Sequence, residues 1–144
     1  TKLQKIRQVQ TKAQADCCYY CEQPMWGHNI TKFASKHRIS TKQAAFLRAT
    51  AEHLTARSEG GKDSKTNIVA ACHYCNGRRH RAQKPLEPAE FMKRVQIRLA
   101  HGKWHGLRLR GLSFNPAQLE AGTTAPIPPH ASPTGHLQDQ AKGT

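Results

Sequence analysis

Glu52 and His53 stand side by side in the middle of this chain. They are followed by a Gly60-Gly61 pair, by Asn67 ahead of a short apolar run, and by a CxxC formed by Cys72 and Cys75 with Asn76 directly behind it. A second CxxC, Cys18 and Cys21, lies upstream. A CxxC turn sets two thiolates on one side of an ion, and zinc takes four such ligands tetrahedrally. Cys18, Cys21, Cys72 and Cys75 are therefore expected to hold one structural Zn²⁺, a staple rather than a reagent. Cys17 is left over, beside the first knuckle but without two-residue spacing to Cys21. His73 and His80 are the alternative ligands; on a basic segment they read as solvated or phosphate-contacting. Five cysteines in this arrangement argue against disulfides and for a reducing, cytoplasmic setting.

Between the knuckles lie the residue types that phosphodiester hydrolysis requires. A base must activate water, and a cation must offset charge on the phosphoryl and leaving oxygens. His53 suits the base because an imidazole titrates near neutral pH. Taken singly, Glu52 could pair with a nearby Arg, His53 could be structural and Asn67 a turn residue. Adjacent residues of a flat strand face opposite sides, so Glu52 and His53 can share one site only through a bend or bulge.

The combination of EH, GG-x5-NI and CxxCN with a distant second CxxC resembles the HNH endonuclease family over Cys18 to about Arg81. The resemblance implies a ββα-metal (His-Me finger) fold: a β-hairpin with an Ω-like loop, then a helix, around one divalent ion. It implies Glu52 and Asn76 as ligands of a catalytic Mg²⁺ or Mn²⁺ and His53 as general base. Asn67 would hold the loop and orient His53, and Arg79 would lie near the phosphate, with Arg78 and Arg81 as further phosphate contacts. It also implies cleavage to 5′-phosphate and 3′-hydroxyl ends. Two departures stand out: Glu52 where many members have Asp, and Asn76 where many have His. An amide oxygen beside a carboxylate favours Mg²⁺ or Mn²⁺.

The elements that must position these groups can be sketched from periodicity. Residues 2–15 suggest a short basic helix, and residues 28–39 read as loop. Ser40 and Gln43 form an S-x-x-Q capping box that opens a helix ending by about residue 50. Glu52-His53-Leu54 reads as a strand, 56–66 as a loop turned by Gly60-Gly61, and 68–71 as a second strand or the start of a helix. Residues 73–81 read as a basic helix. A further helix follows Pro88, with Phe91, Met92, Val95 and Leu99 as a core stripe and Gly102 at its stop. Residues 107–114 alternate as an edge strand would. Trp26, Trp104 and Tyr19 are assigned to core or knuckle packing rather than base stacking.

The expected class is therefore α+β: one small zinc-stapled domain over 1–114, motif core 18–81, with flanking helices and a disordered Pro-rich tail over 115–144. Five of the eight prolines fall in that tail. With 37% hydrophobic residues the core is small, which makes a metal staple necessary. Charge is uneven: residues 1–110 hold 22 basic against 7 acidic side chains, the remainder one against two. A positive body favours a polyanion, and DNA is the expected partner. No stretch is apolar enough to cross a membrane. Thr1 at the start points to a removed initiator Met or a missing beginning, and no secretory leader is expected.

A metal-dependent DNA endonuclease is the leading expectation. The alternatives are a non-catalytic zinc-binding nucleic-acid module, and a toxin- or phage-type nuclease whose tail engages a partner.

Overall fold

The computed structural model describes residues 1–111; the expected disordered tail and the last residues of the expected edge strand, 112–114, lie outside them. Five helices and a two-stranded antiparallel sheet follow one another as α1 (Lys2–Ala13), α2 (Ile30–His37), α3 (Thr41–Ala45), β1 (Ala49–His53), β2 (Ile68–Cys72), α4 (His73–Arg79) and α5 (Pro88–Ala100). The fold is a small α+β arrangement, and β1, β2 and α4 are consecutive, giving the ββα order.

Helix α1 starts at a capping box in which Thr1 and Gln4 satisfy each other's backbone donors. It packs on both strands. Just beyond it, the Gln14 amide pairs with β2 as a short strand would: Nε2 donates to Ala70 O at 2.7 Å and Oε1 accepts from Ala70 N at 2.9 Å. Ala70 O also accepts from Tyr19 N at 3.0 Å, so Gln14 chiefly satisfies the buried Ala70 N–H at this edge.

Two segments depart from the sequence expectation. Residues 30–37 are helical rather than loop, because the Asn29 side chain caps the Lys32 N–H and Arg38 turns out of the helix at φ 54°. The helix capped by Ser40 and Gln43 is present but stops at Ala45, since the chain must enter β1 at Ala49. Residues 107–111 form no strand.

The core gathers the four CxxC cysteines with Tyr20, Leu47, Ala70, Phe91, Val95 and Leu99. The stripe of α5 is buried as its periodicity suggests. Trp26, Tyr19 and Trp104 pack against this cluster. Strand register is continuous, with Ala49 opposite Cys72, Glu52 opposite Val69 and His53 opposite Ile68.

Candidate active site

Cys18 and Cys21 lie on the knuckle after α1, Cys72 ends β2, and Cys75 lies in the first turn of α4. Their sulfurs all lie within 4.8 Å of one another and are fully buried. Tetrahedral thiolates about 2.3 Å from an ion stand about 3.8 Å apart, and Cys21 Sγ and Cys72 Sγ are separated by 3.9 Å. Three N–H groups point at these sulfurs: Cys72 N at Cys18 Sγ (3.2 Å), Cys75 N at Cys72 Sγ (3.4 Å) and Trp104 Nε1 at Cys75 Sγ (3.3 Å). Such donors stabilise thiolate charge and orient the ligands. Burial pushes the Cys21 and Cys75 thiols well up, while hydrogen bonds from Cys21, Cys72 and Cys75 outweigh burial and draw the Cys18 thiol down. The four cysteines are positioned to bind a metal. Cys17 is not among them; its sulfur receives the Arg110 guanidinium at 2.9 Å.

Helix α4 lies against β1 on the face that carries Thr50 and Glu52. Asn76 Nδ2 donates to Thr50 Oγ1 at 3.0 Å and to Ala51 O at 3.1 Å, so its carbonyl oxygen is the atom that could ligate a metal. Glu52 is fully buried. Its Oε1 accepts from Tyr20 Oη (2.9 Å) and Arg79 Nη1 (2.5 Å), and its Oε2 lies 2.9 Å from His80 Nε2. The nearby carboxylate, together with burial, drives the Tyr20 hydroxyl far above its ordinary range, so it stays a donor.

His53 leaves the strand on the opposite face. Pairing runs unbroken through both residues, so the bulge that a shared site would require is absent. His53 Nε2 lies 2.8 Å from Asp63 Oδ1, and Arg57 grips both oxygens of Asp63 at 3.0 Å. Arg57 Nε also points at Nε2, from 3.2 Å, but the shorter contact is to a carboxylate that can only accept, which favours the proton on Nε2 and the lone pair on Nδ1. The contact with His53, aided by Arg57, holds the Asp63 carboxyl below the usual carboxylate range.

The loop that supplies Arg57 and Asp63 is pinned by Asn67. Its Oδ1 accepts from Thr55 N at 2.8 Å, and its Nδ2 donates to Thr55 O (3.0 Å) and Lys62 O (3.1 Å). Gly60 takes φ 87°, and a Cβ at Gly61 would fall 1.8 Å from Thr55 O. The glycine pair is therefore a steric requirement of the loop.

These observations, a ββα unit with a clustered Cys₄ staple, an acid-His pair ending the first strand and Asn76 on the helix, coincide with a sequence match: a family model for HNH endonuclease covers residues 18–82. Residues 18–82 thus match an HNH domain. No match was found among curated proteins or among solved structures. HNH domains are generally nuclease domains that act on nucleic acid with divalent metals.

Within this HNH domain the expected site residues separate. Glu52 and Asn76 share one face of the hairpin; His53 stands at its end; Asn67 secures the loop through backbone contacts with Thr55 rather than by touching His53. Arg79 departs from the expectation. It is only 5% exposed, and its guanidinium is engaged by Glu52 and by the carbonyls of Leu86, His53 and Leu54. Buried, with all three nitrogens already engaged, it faces the domain interior rather than a phosphate. Arg78 and Arg81 are exposed. Asp63, His80 and Tyr20 carry contacts that the sequence reading did not assign. The four-residue spacing from Asn76 to His80, one helical turn, was a usable signal for His80; nothing marked Asp63 within its polar loop.

Proposed function

We propose that this HNH domain is a metal-dependent DNA endonuclease with a structural zinc on Cys18, Cys21, Cys72 and Cys75. The carrying observation is the His53–Asp63 contact at the end of β1, beside the Glu52 carboxylate that faces α4. His53 Nδ1 takes the proton of the attacking water, and Asp63 holds the ring and offsets the charge it acquires. Arg79, bonded to both Glu52 Oε1 and His53 O, ties ligand and base together across the strand.

Glu52, Asn76 and His80 would hold a divalent ion. His80 Nε2 and Glu52 Oε2 already meet at 2.9 Å, so an imidazole nitrogen and a carboxylate oxygen would be at hand for such an ion. His80 is the partly exposed partner, so displacing its hydrogen bond opens the carboxylate to solvent. When bound, the ion supplies charge for the phosphoryl and leaving oxygens. An imidazole in the set favours Mn²⁺ over Mg²⁺. Arg78 and Arg81, within a strongly basic chain, contact flanking phosphates.

The test is nicking of supercoiled plasmid by zinc-loaded protein with Mn²⁺ or Mg²⁺, against chelator, beside His53→Ala. Nicking that requires the ion and drops by at least a hundredfold in the variant is the expected result. Retarded but uncut DNA, identical for both proteins, would replace the nuclease reading with that of a binding module.

A further inference from the structure

Helix α4 has a second flank. There, a cleft of about 370 Å³ opens between the helix and the segment following α5, within the range of small-ligand sites. Its walls are the rings of Phe46, Tyr74 and Trp104. Tyr74 meets Phe46 edge-on at 5.2 Å and Trp104 at 5.1 Å. Tyr74 Oη donates to Trp104 O, so the aromatic corner is fixed. The rim is basic: His73, Arg78 and Arg81 line it, and no acidic residue does. The Arg78 guanidinium lies over the Tyr74 ring, 4.7 Å from its centroid. That cation is exposed, and its flat group occupies the stacking position above the ring.

An aromatic wall, a planar exposed guanidinium and a rim with only positive charge suit one chemistry: a flat heteroaromatic ring carrying a phosphate. We propose that this cleft binds an unpaired nucleobase of the DNA strand engaged by the HNH domain. The base takes the place of the exposed Arg78 guanidinium over the Tyr74 ring, against the Tyr74–Trp104 corner, and Arg78 swings out to cover it, with its phosphate at Arg81 and His73. The proposal rests on the nuclease reading, because the same short helix with its cap residue offers Asn76 and His80 to the metal site and Tyr74 and Arg78 to the base. A strand seated in the cleft is thereby led to the metal-binding flank within one helix diameter, about 10–12 Å with side chains. Trp104 keeps its packing role against Cys75 and adds this one.

Gly77 makes the test clean. It lines the cleft, and a Cβ there meets nothing within 4 Å, so Gly77→Leu enters the cleft from an unobstructed Cβ. Binding is measured by fluorescence anisotropy on the full chain, zinc-loaded and carrying His53→Ala to prevent cleavage. The probes are a short single-stranded oligodeoxynucleotide and a wholly abasic strand of equal length and charge. Base–aromatic stacking predicts about tenfold tighter binding of the strand with bases. Gly77→Leu, shown folded by circular dichroism, is expected to reduce that affinity to the abasic level. Equal affinity of the two probes, or a preference that survives Gly77→Leu, overturns the base site. If wild-type plasmid nicking persists in that case, the cleft alone is refuted; if nicking is also absent, the nuclease reading falls with it.

Discussion

His53 and Asp63 form the contact on which the chemistry turns, and it makes a graded prediction. Asp63→Asn keeps an oxygen that can accept from Nε2 but loses the charge that steadies a protonated ring; Asp63→Ala loses both. The expected kcat order is wild type, then Asn, then Ala, with the alanine variant lower by about a hundredfold and KM changed far less. The pH dependence has a definite sign. A carboxyl held below its ordinary range is fully ionised above the ordinary value of about 3.9 and loses its contact only as pH falls through the lowered one. Protonation of Asp63 itself should therefore add no pH dependence to the wild-type rate from about pH 5 upward. A neighbouring pair predicts stability instead. Arg79 is buried against a fully buried Glu52, so Arg79→Met strands a carboxylate and should cost about 3 kcal/mol in urea unfolding. Glu52→Gln added to it should recover part of that loss. If Arg79→Met alone were neutral, Glu52 would have to be neutral already.

At the scale of elements, the hairpin loop matters most. Gly61→Ala would drive a methyl group into Thr55 O, and the loop must shift to admit it. A destabilisation of about 2 kcal/mol is expected, together with loss of nicking, because Asp63 and Asn67 hang on the same loop. Wild-type nicking by Gly61→Ala would show that loop geometry does not govern His53. The Gly-Gly pair, both knuckles and the α5 stripe were legible in the sequence because each rests on local rules: turn chemistry, ligand spacing and helical period. Segment 28–39 was not, since Ile30, Phe33 and Ala34 do fall on one face but the helix is only eight residues long and starts from a single Asn29 cap. The early end of α3 was equally hidden; its box fixes a start, whereas its stop is set by where β1 must begin. At the site, Glu52, His53, Asn67 and Asn76 could be named from pattern. The burial of Arg79 could not, because a fully engaged Arg inside a small domain depends on the tertiary placement of Glu52 and of three carbonyls.

The molecule as a whole is held by its sulfurs. The four CxxC cysteines sit in the middle of the apolar cluster, joining the knuckle after α1 to the β2–α4 junction, and α5 buries Phe91, Met92, Val95 and Leu99 in the same cluster, with Phe91 edge-on to Tyr20 of the knuckle. With so few large apolar side chains, the rest of the core is too small to hold these parts together alone. Stripping the metal with a strong chelator is therefore expected to abolish the cooperative thermal transition seen by near-ultraviolet circular dichroism, and readdition of zinc to restore it. The linkage to pH follows from the thiols. Cys21 and Cys75 are pushed up by burial in the metal-free cluster, so they bind the ion only by giving up protons, and affinity falls as pH falls. Competition against a chromophoric chelator at pH 6.5, 7.5 and 8.5 (values on the order of the thiol range) should show zinc affinity rising across the series by more than tenfold. A pH-independent affinity would mean that the thiolates exist before the ion arrives, and a chelated protein that melted like the loaded one would place the fold's stability in the helices alone.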